Sequence, residues 1–251
     1  MKIIISPAKK MNVDADMYPV NGMPLFLEKT SRIKEYIQSL TFEEAKKLWD
    51  CNDKIARLNY ERYQDMDLYK NLTPAIISYE GIQYQYMFPT VFTAKAIAYA
   101  EEHLRILSGF YGVLRPFDGV VPYRLEMQAK ALVDGTKDLY EFWGNLLYQE
   151  VMDKDRVIVN LASKEYAKCI ENYLHKTDVF LTCVFGEWKD GKVIQKGTLA
   201  KMARGEMVRF MAEQEIQEVE EIKKFNGLGY CFNESLSSDR EYIFIKNSEE
   251  S

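Results

Sequence analysis

Three arginines and two glycines in residues 103–130 have the types and spacing of a phosphate-binding segment. They are Arg105, Arg115 and Arg124, with Gly109 and Gly112 in the sequence SGFYG. One guanidinium group can donate two parallel hydrogen bonds to the oxygens of a phosphate. Glycine lets a ligand approach the backbone closely. In helix-hairpin-helix modules, a glycine-containing hairpin directs backbone N–H groups at DNA phosphates without reading sequence. The segment is therefore either a phosphate-binding element or a tightly packed turn system.

A second basic set lies on a predicted amphipathic helix that starts near residue 199. Lys201, Arg204 and Arg209 lie opposite an apolar stripe, and a run of glutamates after residue 212 confines the positive charge to one end. Gly205 within this helix costs about 1 kcal/mol relative to alanine. It therefore indicates either close approach by backbone or ligand, or a break in the helix.

Polar side chains also follow two predicted buried strands. Lys9 comes after the strand at residues 2–5, and Asn160 and Ser163 come at the end of the strand near residue 157. Ligands of α/β proteins bind at the carboxyl ends of strands. Convergence of these residues with Tyr123 and Arg124 in a closed pocket would indicate an enzyme acting on a phosphorylated or nucleotide-like small molecule. Arginines along an open groove of duplex width would instead indicate DNA binding.

The elements that position these residues alternate irregularly between strands and helices. The predicted strands are residues 2–5, 75–79, 157–160, 179–188, 192–195, 229–232 and 242–246. The predicted helices are residues 25–39, a helix from Thr41, and residues 53–64, 90–103, 138–152 and 199–224. Thr41 and Glu44 form a capping-box pattern, and Asp190-Gly191 is a strong hairpin signal. This order predicts one mixed α/β (α+β) domain over residues 1–251, with a polar tail at 247–251.

Composition excludes several classes of protein. The 251 residues are 47% hydrophobic and 28% charged, and the net charge of −5 means that any nucleic-acid binding needs a local basic face. No apolar run is long enough to span a bilayer. The four cysteines lie far apart without a C-x-x-C pair, and the two histidines are about 70 residues apart. Free thiols and the absence of a zinc site are therefore expected.

Several strings, taken together in order, resemble the bacterial peroxide stress protein YaaA family. They are ISPAK at 5–9, HLRILSGFYGVLRPFD at 103–118, PYRLEM at 122–127, KDLYEFWG at 137–144, VIVNLASKEY at 157–166, ARG at 203–205 and FNGLGYCF at 225–232. The resemblance implies a cytoplasmic protein induced by hydrogen peroxide that limits unincorporated intracellular iron. It also implies an uncommon compact fold with a helix-hairpin-helix-like element and double-stranded DNA binding without sequence specificity.

The resulting hypothesis is a stress-response protein that binds DNA rather than an enzyme, with the enzyme reading as the alternative. The expected DNA- or phosphate-binding residues are Lys9, Arg105, Gly109, Gly112, Arg115, Arg124, Lys201, Arg204 and Arg209. We expect no cofactor, no metal site, no membrane partner and a monomer. The effect on iron is expected to be indirect, and no catalytic residue is assigned.

Overall fold

The computed structural model describes residues 1–14 and 18–246, so the predicted tail at 247–251 lies outside the described residues. The strands are β1 (Lys2–Ile5), β2 (Lys10–Met11), β3 (Thr73–Pro74), β4 (Tyr79–Glu80), β5 (Leu104–Ser108), β6 (Gly112–Leu114), β7 (Gly119–Val120), β8 (Val157–Leu161), β9 (Val179–Lys189), β10 (Lys192–Ile194), β11 (Tyr230–Phe232) and β12 (Glu241–Lys246). The α-helices are α1 (Leu27–Ser39), α2 (Phe42–Trp49), α3 (Asp53–Gln64), α4 (Ala75–Ser78), α5 (Ile82–Met87), α6 (Ala94–His103), α7 (Leu139–Trp143), α8 (Leu146–Val151), α9 (Lys164–Glu171) and α10 (Gly197–Glu213). Short 3₁₀ helices cover Pro89–Val91, Val133–Gly135, Val219–Lys224, Gly227–Gly229 and Glu234–Leu236.

The main sheet is mixed, in the order β11-β12-β9-β8-β1-β5-β6, with β10 paired to β9. Five neighbouring strands, β12, β9, β8, β1 and β5, are parallel, and antiparallel partners extend them on both sides. The register aligns Ile3 of β1 with Leu104 of β5 and with Val159 of β8. The carboxyl ends of these three central strands therefore meet at one edge of the sheet.

Continuous apolar runs explain why the central strands are buried on both faces. Ile3, Ile4 and Ile5 of β1 are at most 1% exposed, and Ile158 and Val159 of β8 are fully buried. Runs of this kind are typical of parallel strands covered by helices. The core they form holds the strand ends in fixed positions, and those ends carry the candidate site.

The predicted mixed α/β class is confirmed, as are several of its elements. β1, β8, α1, α3 and the hairpin of β9 and β10 lie where the sequence placed them, and the capping box of Thr41 and Glu44 is formed at α2. Asp190 and Gly191 both have positive φ in the hairpin turn, as that turn requires.

Four segments differ from the prediction. Residues 75–79 form the short helix α4 followed by β4 instead of one strand, and residues 103–130 contain strands β5, β6 and β7 instead of loop alone. The predicted helix at 138–152 is divided at Gly144, where φ is +53°. The predicted helix at 199–224 ends at Glu213, and a 3₁₀ helix follows at Val219–Lys224.

Candidate ligand-binding site

A cavity of about 480 Å³ lies at the carboxyl edge of the central strands, and we call it the central cavity. Its lining comes from residues 6–10, 80–84 and 123–126, with residues 163, 165, 166, 201 and 204. These segments follow β1 and β8, begin α5 and α9, and include one face of α10. The site therefore has the position expected for a ligand of an α/β protein, and its volume lies within the range of small-molecule pockets.

Serine side chains link the ends of the central strands. The Ser6 hydroxyl, after β1, donates to Ser163 Oγ at 3.3 Å and accepts from the Ser163 backbone N–H at 2.8 Å. The Tyr84 hydroxyl donates to the Ser6 carbonyl at 2.9 Å. Ser163 occupies the N-cap position of α9, but its side chain makes no capping bond. The hydroxyls thus hold two strand ends together instead of closing the first turn of α9.

Lys9 and Arg124 converge on one carboxylate in the central cavity. Glu126 Oε1 lies 2.7 Å from Lys9 Nζ and 3.5 Å from an Arg124 guanidinium nitrogen. The Arg124 side chain is only 10% exposed, and its Nε is buried without a hydrogen-bond partner among the described residues. Nearby, Lys10 Nζ pairs with Glu80 Oε1 at 2.6 Å. These cations are therefore matched by carboxylates that also line the cavity.

Helix α10 carries Lys201 and Arg204 to the opposite part of the lining. Gly205 lets this helix pack against α5, because a Cβ at this position would lie 2.1 Å from the Gln83 carbonyl oxygen. The predicted close approach is confirmed, and α10 continues unbroken through the glycine. Arg204 Nε is buried without a partner, and burial lowers the pKa of Arg204. Neither Lys201 nor Arg204 has an ion-pair partner in the described part of the chain.

A chain of buried hydroxyls lies behind the cavity. The Tyr123 hydroxyl is 2.7 Å from that of Tyr79 and 2.6 Å from Ser108 Oγ at the end of β5. Burial raises the pKa of Tyr123 to about 12. Tyr123 is consequently protonated at neutral pH and can act toward a ligand only as a hydrogen-bonding hydroxyl.

Glu165 is a half-buried carboxylate in the cavity lining. Burial raises the pKa of Glu165, and the backbone N–H of Gln128, which it accepts at 3.2 Å, opposes that shift. Glu165 lies in the first turn of α9. A carboxyl group with a raised pKa beside a ligand cavity has the character of a general acid or base.

A second cavity of about 710 Å³ adjoins the first and shares Lys9, Arg124 and Glu126 with it. Lys47, Trp49 and Asp50 at the end of α2 also line it, together with Lys130. Its lining holds four basic and three acidic side chains, the latter being Glu44, Asp50 and Glu126, so a small excess of positive charge continues toward the connection between α2 and α3.

Arg105 and Arg115, predicted as phosphate contacts, do not line the central cavity. Arg105 is 7% exposed, and one of its terminal nitrogens donates to the carbonyls of Leu104 and Glu101 at 2.7 and 3.1 Å. Arg115 is exposed beside Asp118, whose carboxylate accepts the Arg115 backbone N–H at 2.8 Å. The two hydrogen bonds of the Arg105 side chain therefore give it a structural role at the start of β5.

Gly109 and Gly112 lie in a strand hairpin and not between two helices, which corrects the expected helix-hairpin-helix at this turn. β5 and β6 pair antiparallel, with Ser108 opposite Gly112. Gly112 has φ +77° beneath the Trp143 ring, and a Cβ on Gly109 would lie 2.8 Å from the Leu125 carbonyl oxygen. Both glycines are buried, so they admit neighbouring groups of the protein rather than a phosphate. Gly109 acts indirectly, because it lets the irregular segment that carries Arg124 pass close by.

Two further predicted residues also lie outside the lining. Arg209 Nε donates to Glu213 Oε1 at 2.7 Å along α10. Asn160 is 3% exposed, donates to Thr182 Oγ1 at 3.2 Å and accepts the Ala162 backbone N–H at 2.9 Å. Asn160 therefore shapes the turn between β8 and α9. Of the proposed small-molecule set, the structure brings together Lys9, Tyr123, Arg124 and Ser163.

Sequence reasoning missed several lining residues, namely Ser6, Glu80, Gln83, Tyr84, Glu126, Glu165 and Tyr166. A signal was present for three of them. Glu126 follows Arg124 by two residues, and Glu165 and Tyr166 directly follow Ser163 at the start of a helix. No local signal marks Glu80, Gln83 or Tyr84, which reach the cavity only because α5 packs against α10.

Within residues 1–14 and 18–246, no group of three or more histidine, cysteine, aspartate or glutamate side chains is arranged to hold a metal ion. Among the helices described there, none combines the length and apolar character of a membrane span.

Comparison with known proteins gives a consistent result over the whole length of the chain. The profile of the family described as Peroxide stress protein YaaA matches residues 1–236. A UPF0246 protein of Desulfitobacterium hafniense is 56% identical over 246 residues, which is 98% of each chain. UPF0246 proteins of Agathobacter rectalis and Pediococcus pentosaceus are 56% identical over 244 residues and 55% identical over 247 residues. These alignments cover 97% and 98% of this chain, respectively, and 98% of each relative.

Proposed function

The chain belongs to the peroxide stress protein YaaA family, and we propose that it serves that stress response by binding a phosphorylated or nucleotide-like small molecule in the central cavity. The observation that carries this proposal is the convergence of Lys9, Arg124, Lys201 and Arg204 on one cavity. These cations come from three separate parts of the sequence. Residues so distant along the chain converge on one cavity only when the fold brings them together.

Charge and position both support an anionic ligand. The cavity lies at the carboxyl ends of parallel strands, beside the uncapped first turn of α9, where backbone N–H groups favour anions. In the cavity lining, the guanidinium groups of Arg124 and Arg204 have Nε atoms without partners among the described residues, as do Arg105 and Arg156 outside the lining. Arg204 also lacks an ion pair there. A buried cation without a counter-charge is costly, and a bound phosphate would remove that cost.

An enzyme acting on this ligand would need a group that exchanges protons. Glu165 is the candidate, because burial raises its pKa toward the working range of a general acid. The substitution Glu165→Gln keeps the size of the side chain and removes its ability to gain or lose a proton. Turnover that falls while ligand affinity stays within twofold would indicate catalysis, and loss of affinity alone would indicate a binding role.

The proposal is tested by calorimetric titration of purified protein with phosphorylated metabolites and their dephosphorylated counterparts. Phosphorylated compounds are expected to bind, and Arg204→Gln and Lys201→Gln are each expected to weaken them at least tenfold, about 1.4 kcal/mol. Arg209→Gln is the matched control, since Arg209 lies on the same helix outside the cavity. Equal affinity for phosphorylated and dephosphorylated compounds would contradict the proposal.

Double-stranded DNA is a second candidate ligand, favoured by the adjoining cavity. Lys9 and Arg124 line both cavities, and Lys47 and Lys130 extend the cationic lining beyond the volume of one small ligand. Gel shifts at two salt concentrations test this. The logarithm of the association constant is expected to fall with the logarithm of the salt concentration, with a slope of about −0.9 per phosphate neutralised. Arg124→Gln should reduce that slope, and affinity independent of salt would exclude DNA.

The family's effect on unincorporated iron is, in our proposal, a consequence of ligand binding and not of iron held by this chain. Protein purified without a metal-affinity tag is then expected to contain iron far below one atom per chain. Stoichiometric iron in elemental analysis would contradict this.

A further inference from the structure

The charges lining the central cavity divide it into a paired part and an unpaired part. Among the described residues, five cationic and three anionic side chains line it. Lys9 and Arg124 share Glu126, and Lys10 pairs with Glu80. Lys201 and Arg204 are left without a carboxylate. Counting Glu165 as ionised, the cavity lining carries an excess of two positive charges, and the cations without a carboxylate partner are both on α10.

The unpaired part is built rigidly into the fold. Gly205, the next residue after Arg204, packs against the Gln83 carbonyl of α5, so the backbone of α10 cannot withdraw the arginine from the cavity. The titratable group that acts electrostatically on Arg204 is the buried Cys183 thiol of β9, whose pKa burial raises to about 12. A neutral thiol offers no compensating charge, so a bound anion is the remaining source of one.

The paired part suits a neutral, polar portion of a ligand. Glu126 and Glu80 are carboxylates that accept hydrogen bonds from hydroxyl groups, as acidic residues do with ribose in nucleotide sites. Lys9 and Arg124 are donors beside them. Pro7, Ile82 and the edges of buried tyrosines supply apolar surface for a ring. The cations here are already paired with carboxylates, so this part attracts an additional phosphate less strongly than Lys201 and Arg204 do.

Resting on the proposed function, we infer that the ligand of the central cavity is a nucleoside monophosphate. A phosphomonoester carries a charge of about −1.5 to −2 at neutral pH, which matches the two unpaired cations. Its phosphate binds between Lys201 and Arg204. The ribose hydroxyls and the base occupy the part lined by Glu126, Glu80 and the apolar side chains.

Calorimetry with defined probes tests the inference. The probes are AMP, GMP, CMP and UMP, the triphosphate ATP without added metal, adenosine, ribose 5-phosphate and inorganic phosphate. At least one monophosphate is expected to bind tenfold or more tightly than its triphosphate, its nucleoside, ribose 5-phosphate and inorganic phosphate. Arg204→Gln and Lys201→Gln are expected to weaken that monophosphate at least tenfold and to leave the weak affinity for its nucleoside unchanged. Arg209→Gln should bind like the wild type.

The outcomes separate this inference from the proposed function. Binding of ATP, ribose 5-phosphate or inorganic phosphate as tightly as any monophosphate, with the same sensitivity to Arg204→Gln, would overturn the nucleoside monophosphate and leave the phosphate site standing. Absence of binding by every phosphorylated probe would overturn both. Circular dichroism confirms that each variant is folded, and Lys201→Gln, at an exposed position, retains the test if Arg204→Gln does not fold.

Discussion

Arg105 and Arg204 are two partly or fully buried arginines in very different surroundings. Arg105 donates to two backbone carbonyls and lies near the acidic groups of Glu101, Asp118 and Glu150. The Arg204 side chain makes no hydrogen bond or ion pair within the described residues, and it lines a cavity. Burial lowers the pKa of both arginines, and both have an Nε atom without a partner. The difference lies in the terminal nitrogens: protein carbonyls bind those of Arg105, whereas those of Arg204 are the candidates for contact with a ligand.

The largest expected effect tests what holds Arg204 in place. Gly205→Ala puts a Cβ against the Gln83 backbone, and we expect it to lower the free energy of unfolding by about 2 to 3 kcal/mol despite the better helix propensity of alanine. Gly197→Ala is the control on the same helix, where an added Cβ meets nothing within 4 Å. Urea denaturation measures both, and equal stability of the two variants would show that α10 has room to shift.

The two arginines are expected to respond oppositely to the same substitution. Arg105→Gln should lower the free energy of unfolding by about 2 kcal/mol, because carbonyls and acidic groups lose their partner, and should leave ligand affinity within twofold. Arg204→Gln should leave stability unchanged or slightly higher, since it removes an uncompensated charge, while affinity falls. Denaturation and calorimetry on the same samples would contradict the comparison if both variants lost stability alike.

The surroundings of Arg105 also predict a pH dependence. Burial raises the pKa of Asp118 from its usual 3.8 to about 6, so the native state holds that proton more tightly than the unfolded chain. Stability from this group is present below pH 4 and is lost as pH rises through 6, by roughly 3 kcal/mol. Asp118→Asn should remove this loss. Thermal unfolding from pH 4 to 7 checks it, and parallel curves for both proteins would refute it.

The smallest effect concerns Arg209, which lies on the same helix as Arg204 but outside the cavity lining. Its exposed pair with Glu213 should contribute about 0.3 to 0.5 kcal/mol. Arg209→Gln should therefore change stability by no more than that and should leave ligand affinity unaltered. A tenfold loss of affinity would extend the binding surface along α10 beyond the central cavity.

Local sequence was sufficient to predict the parts of the site that follow strands. The apolar runs before Lys9 and Ser163 identified β1 and β8, and adjacent parallel strands necessarily bring their carboxyl ends together. Charge on an amphipathic helix identified Lys201 and Arg204. These features depend on residues close together along the chain, so they can be recognised in a single sequence.

The remainder of the site depends on tertiary packing. Arg105 and Arg204 are the same residue type near glycines, and only the fold decides that carbonyls surround one and a cavity the other. Residues 103–130 contain three short strands that their glycines and prolines do not suggest, because strand pairing, as of β5 with β1, outweighs local preference. Tyr84 and Gln83 reach the cavity through a helix contact that no periodicity reveals.

The hydroxyl bonds of Ser6 and Ser163 have a consequence for the rate of binding. Because they fix the ends of β1 and β8 in the folded protein, the groups beneath the ligand have lost their conformational entropy before any ligand arrives. Association then requires no slow rearrangement of this surface, and it should proceed in one kinetic phase whose rate rises linearly with ligand concentration. Differences in affinity between ligands would consequently appear in their dissociation rates and not in their association rates.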